Sequence, residues 1–240
     1  VATVIMSLVS PIHTALFPRL SQLVVKKDEN GISDLYHRGC QLASIIILPI
    51  SITMIFFSKE ILSTWIGDPT VVNNTHMLLS LLIVGTTIKA YMTLPYTLQL
   101  AHGWTKLAFY KNVIAVIIII PSMLWAAQMY QGIGAAWVLI ILYLGLLIFE
   151  IIIMHKRILK GNMRKRYGYD VFIPVLIVSI IGLAAHEIHD IFPIDVSEVI
   201  TALAVLCTLL FSFMASAWAT GNLNVRVMSL LKIKERKKIV

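Results

Sequence analysis

Three stretches of this chain run for a dozen residues or more almost without a charge: Ile45 to Phe57, Val113 to Tyr130 and Ile133 to Phe149. Extended by their uncharged flanks, they approach the ~20 residues that cross a hydrocarbon layer. A soluble domain carries about 45–50% apolar and about 25% charged residues. Here the figures are 58% and 13%, with a mean hydropathy of +0.86, too apolar for a core wrapped in water. The backbone in hydrocarbon must satisfy itself, and no barrel-like alternation is visible, so the spans are helices. The predicted fold class is all-α, a polytopic membrane helix bundle.

Seven spans are expected, over residues 1–25, 35–57, 75–101, 107–128, 132–157, 171–189 and 198–219. The domain reading follows: five spans over 1–157, two additional C-terminal spans over 158–219, and a basic tail over 220–240. The chain opens on Val1 with no signal peptide ahead of its first apolar segment. An absent N-terminal part is the expectation.

Orientation follows from the basic residues. With segment 26–34 placed in the cytoplasm, 17 of the 20 Lys and Arg fall on the cytoplasmic side, among them Lys106 and Lys111. Lys59 falls outside; Arg19 and Lys89 lie within spans. Glu60, Asp68, Glu187, Asp190, Asp195 and Glu198 gather outside. The +8 net charge is therefore topological and suits anionic lipid headgroups. It is not a nucleic-acid surface, which would need a folded basic face with aromatic interleaving. The chain is read as a multi-pass protein of the cytoplasmic membrane with a cytoplasmic C-terminus. Trp65, Trp104, Tyr130 and Tyr167 fall near span ends, where interfacial aromatics or ordinary packing both place them.

Polar groups at membrane depth usually face protein or a wet cavity. Ser7, Ser10, Thr14 and Ser21 fall on one narrow arc of the first helix, flanked by Pro11 and Pro18. The arc reads either as a cavity wall or as hydroxyls bonded between helices. In the third span Gly85, Thr86, Lys89, Thr93 and Tyr96 share an arc of about 100°. An uncompensated lysine there costs at least ~2.5 kcal/mol. As a point charge in a wet cavity, Lys89 suits a phosphate or pyrophosphate; its alternative is a structural ion pair. The substrate-cavity candidates are thus Lys89, Thr86, Thr93, Tyr96, Ser10 and Thr14. Glu150, near the end of the fifth span, is expected to pair with a lysine of the next loop, or to take part in ion coupling.

Other signals carry less. His186-Glu187-Ile188-His189 is one residue short of a zinc-protease helix, and the two cysteines, Cys40 and Cys207, suggest neither a disulfide nor a metal cluster. Gly132 and Gly134 mark a tight turn opening the fifth span. No nucleotide-binding motif and no soluble domain are present, so neither an enzyme nor a cofactor is expected.

Several stretches carry a likeness: Ala15-Leu16-Phe17-Pro18-Arg19-Leu20-Ser21, Leu48-Pro49-Ile50, Ile61 to Gly67, Ala101-His102-Gly103-Trp104-Thr105-Lys106, and Gln131-Gly132-Ile133-Gly134-Ala135-Ala136. Their order and spacing over about residues 1–157 resemble the polysaccharide-biosynthesis flippases of the MATE-like exporter superfamily, which include O-antigen and lipid II flippases. The resemblance implies two six-helix lobes around a central cavity, with this chain holding the eighth to fourteenth of fourteen helices. It implies alternating-access transport of an undecaprenyl-pyrophosphate-linked glycan across the cytoplasmic membrane. The implied partners are that lipid-linked glycan, membrane lipids, an N-terminal lobe not present here, and glycan polymerase or export proteins. A multidrug or organic-cation exporter of the same superfamily and a non-transporting scaffold of a glycan-assembly complex are the competing readings.

Overall fold

The computed structural model describes residues 3–157, 171, 173–191 and 214, and every element among them is helical. They are α1 (Val4–Val25), α2 (Glu29–Phe56), α3 (Ser58–Ile66), α4 (Pro69–Ala101), α5 (Thr105–Arg157) and α6 (Ile173–Ile191). The expected span over 198–219, the tail over 220–240 and most of the loop before α6 lie outside the described residues, as does Cys207.

α1 buries Ile5, Val9, Leu16 and Leu20, a single face at helical spacing. It packs against α2 and α4. α2 begins six residues before the apolar pattern predicts. The cause is Asp28, whose carboxylate accepts a 2.9 Å bond from the Gly31 amide and so caps the helix. α4 likewise begins six residues early. There Asp68 accepts from the Thr70 amide at 2.8 Å, and Pro69 fills the first turn, where its lack of an N–H costs nothing. Between them stands α3, a separate nine-residue helix that ends on Gly67 with φ at 73°, the left-handed stop that glycine supplies.

α5 holds 53 residues. Drawn straight it would reach about 80 Å, more than twice the bilayer's hydrocarbon. Lys111 and Glu150 would then stand about 58 Å apart, yet they form an ion pair. α5 is therefore two antiparallel arms, residues 105–130 and 132–157. The chain reverses at Gln131, whose φ of 53° and ψ of −142° are non-helical. At each end of the hairpin the arms meet closely. Arg157 lies 5.5 Å over the Trp104 ring; at the turn, Gly134 packs against the Ala126 carbonyl. This matches the two expected spans over 107–128 and 132–157 and the turn expected at the glycines. Contacts of Gly132 with Leu78 and of Gly85 with Ile140 set the second arm parallel to α4.

α1, α2 and α4 form the centre, with α5 on α4 and α6 on α2. α6 approaches α2 at Gly182, within 3 Å of where a β-carbon would meet Ile52 and Phe56, the small-residue contact common between membrane helices. The outside is apolar. Phe109, Ile117, Trp125, Tyr130 and Ile141 are each at least 60% exposed. A surface of this kind needs a lipid solvent. α2, α4 and the Thr105–Met154 stretch of α5 are each long and apolar enough to cross a membrane; the described residues do not reach the expected count of seven spans.

Candidate functional site

α1 presents Ser7, Ser10 and Thr14 on an exposed face opposite its packed one. The Thr14 hydroxyl donates to the Ser10 carbonyl at 2.9 Å, and Ser21 to Phe17 at 2.9 Å, so these hydroxyls fold back onto their own helix. Pro11 and Pro18 lack an N–H. The carbonyls four residues earlier, those of Ser7 and Thr14, lose their usual helical donors. Hydrocarbon cannot replace those donors; water can. The helix continues through both prolines.

The expected stripe on α4 divides. Gly85 is buried against Ile140, and the Tyr96 ring lies 5.4 Å from the Lys111 ammonium, so both face α5. Thr86 and Thr93 are half-buried at the margin, and Lys89 is exposed. Thr86 donates to the carbonyls of Leu82 and Ile83, at 2.9 and 3.0 Å; the Thr93 carbonyl accepts from Thr97 at 2.6 Å. The Lys89 ammonium sits 5.6 Å from the Tyr143 ring centre, a cation–π contact. Among the described residues no carboxylate pairs with it.

A cavity of about 420 Å³ opens on another side of α4. α2, α4, the second arm of α5 and α6 line it, with Tyr36, Cys40, Thr87, Tyr91, Leu147 and Val175 on its wall. None of the six candidate residues does. Several of its polar groups are bonded: Tyr91 donates to Ser44 behind the wall at 2.9 Å, Ser44 to the Cys40 carbonyl at 2.9 Å, and Thr87 to Ser51 at 2.8 Å. The cavity is otherwise apolar. The sequence offered no stripe there, only hydroxyls scattered over two helices.

The third feature corrects an expectation. Lys111, expected at the cytoplasmic end of the span over 107–128, has its charge buried. It lies in the first arm of α5, 7% exposed, and it is the partner of Glu150, which is 1% exposed. Glu150, expected to pair with a lysine of the next loop, thus pairs across the hairpin; that loop lies outside the described residues. Gln99 of α4 lies beside the carboxyl without meeting hydrogen-bond geometry. Among the described residues neither its amide atoms nor Oε2 of Glu150 meets a hydrogen-bond partner. Among the described residues no group of His, Cys, Asp and Glu could hold a metal ion.

The described arrangement has no catalytic constellation. It offers polar faces on two neighbouring helices, a lone cation at one margin, an apolar cavity and a buried ion pair tying two arms of one hairpin. No curated protein and no solved structure matches the chain. One family model does: MatE, over residues 1–125 of the 240. The matched segment holds α1 to α4 and most of the first arm of α5, hence every candidate residue of the polar faces. The chain belongs to the MatE family, membrane transporters of the MOP superfamily.

Proposed function

We propose that this transporter carries a lipid-linked oligosaccharide, with the pyrophosphate of its carrier lipid held at Lys89. The supporting observation is the lysine itself: an exposed ammonium in an apolar 33-residue helix, set among Thr86 and Thr93, with no carboxylate among the described residues to neutralise it. A free cation at membrane depth is expensive, so it is retained where an anion visits. The polar face of α1, with the freed carbonyls of Ser7 and Thr14, supplies a second wet wall on a neighbouring helix. The rest of the cavity belongs to a first lobe, and glycan polymerase or export proteins are the natural neighbours of such a cycle.

An exporter of organic cations would call for a free carboxylate instead. Among the described residues, the carboxylate buried between membrane helices, Glu150, is already neutralised by Lys111. The test is transport of an undecaprenyl-pyrophosphate oligosaccharide by the full-length protein in proteoliposomes. A charge-assisted hydrogen bond contributes about 1.5–3 kcal/mol. Lys89→Ala is therefore expected to lower flux about tenfold or more at limiting substrate, while Lys89→Arg keeps a substantial part. Wild-type flux in the alanine variant, at equal protein level, would end this reading.

A further inference from the structure

The open end of the α5 hairpin, its mouth, carries charge that the substrate reading does not use. The turn from α4 into α5 is fixed there. Gly103 takes a left-handed φ of 71°, and the Trp104 amide donates back to the Gln99 carbonyl at 3.0 Å. This glycine stop satisfies the last carbonyls of α4. Trp104 is thereby set half-buried at the end of the bundle. An amphipathic ring at the end of a span suits the headgroup level of a bilayer.

Arg157, the last residue of α5, returns to this turn from the second arm. Its guanidinium carbon lies 5.5 Å over the Trp104 ring, and the residue is exposed. A guanidinium placed over an aromatic ring keeps its in-plane N–H groups open to a further partner. Lys106 is exposed two residues beyond Trp104, and the first turn of α5 holds no acid. Among the described residues the ion pair formed is that of Lys111 with Glu150, and no carboxylate pairs with Lys106 or Arg157. The two ends of the hairpin thus bring two like charges and an interfacial aromatic to one place. Like charges repel, and an anion standing between them turns that repulsion into attraction.

We propose that the mouth of the α5 hairpin binds the phosphate of an anionic phospholipid headgroup, with Arg157 and Lys106 on the phosphate and Trp104 beside the upper acyl chains. The planar guanidinium offers two parallel donors to phosphate oxygens, and the ammonium adds a point charge. Phosphatidylglycerol presents a phosphate with net negative charge; phosphatidylcholine cancels its own with a choline cation. The site therefore prefers the first. Bound in this way, the lipid bridges the α4–α5 turn to the end of the second arm and holds the mouth closed. Inorganic phosphate shares the chemistry but has no chains to lie beside Trp104. The inference does not rest on what the transporter carries.

The experiment reads Trp104 fluorescence in the full-length protein with every other tryptophan replaced by phenylalanine. The protein sits in phosphatidylcholine vesicles containing, at equal mole fraction, either phosphatidylglycerol or phosphatidylcholine brominated high on its chains. Stronger quenching by the anionic lipid is the expected result. Arg157→Gln and Lys106→Gln are each expected to lower that preference about fivefold, and Arg157→Lys by less. Lys26→Gln removes an exposed charge from the α1–α2 turn at the same end of the bundle, and it should leave the preference in place, as should Lys89→Ala. A protein retaining Trp125, 60% exposed on the flank of α5, should be quenched alike by both lipids. If the single-tryptophan protein fails to fold, the unaltered tryptophan set is used. The rise in thermal midpoint on adding phosphatidylglycerol to phosphatidylcholine nanodiscs is then expected to shrink in Arg157→Gln with Lys106→Gln. Three results would overturn the proposal: equal quenching of Trp104 by the two lipids, a loss with Lys26→Gln as large as with Arg157→Gln, or a preference abolished by inorganic phosphate at constant ionic strength. The second would mean a diffuse surface potential, the third a site for the free anion.

Discussion

Glu150→Ala is expected to cost the folded bundle about 3–5 kcal/mol, the penalty of leaving a buried charge without its partner. Lys111 is 7% exposed and bonds Glu150 across the hairpin. Without the carboxylate its ammonium keeps, among the described residues, the Tyr96 ring, 5.4 Å away. Its stem is long enough to turn toward the hairpin mouth, which softens the loss. The double replacement Lys111→Met with Glu150→Leu tells a different story. Two apolar side chains of similar volume remove both desolvation costs, and such exchanges are often neutral or stabilising by about 1–4 kcal/mol. Reversible unfolding in mixed detergent, with both single variants and the double, completes the cycle. The expected coupling is large and the double close to wild type. Additive single costs would show that the two residues do not share a buried site.

The turn at Gln131 carries the second large effect. A β-carbon at Gly134 would stand 2.5 Å from the Ala126 carbonyl oxygen and 2.7 Å from Tyr130 Cβ. The first of these is backbone of the opposite arm, which cannot swing aside as a side-chain tip can. Gly134→Ala should therefore spread the hairpin and cost about 1–3 kcal/mol, and Gly134→Val more. Gly145 is the control on the same arm. It is exposed with nothing within 4 Å of an added β-carbon, so Gly145→Ala should stabilise by about 0.5–1 kcal/mol through backbone entropy. Thermal unfolding of the two alanine variants reads the contrast. Equal behaviour would mean that the arms do not close at Gly134.

The apolar runs placed α2, α4 and the two arms of α5 because burial in lipid demands length and little else. The same rule missed the first turns of α2 and α4. Those turns are polar, and they are helical because Asp28 and Asp68 cap them, a local bond invisible to hydropathy. It also missed α3, whose nine residues are too short for a periodic signal to stand out. The polar arc on α4 was legible from spacing alone. Which neighbour covers each of its members was not, so Gly85 and Tyr96 proved to face α5 while Lys89 stayed at the open margin. Lys111 and Glu150 each read as a charge near the end of its own span. Their meeting depends on the register set by the Gln131 reversal, 39 residues of separation folded back on itself, and no linear pattern encodes that register.

Transport as proposed requires Lys89 to face water at membrane depth, and thiol accessibility measures that directly. In the full-length protein with Cys40 and Cys207 replaced, Lys89→Cys and Ile117→Cys are each treated in native membranes with a membrane-impermeant maleimide. Ile117 is 66% exposed on the apolar flank of α5 and reports the lipid-facing surface. Labelling at position 89 with none at position 117 is the expected result. A cysteine at 89 as unreactive as the one at 117 would place that side chain among acyl chains and contradict the account.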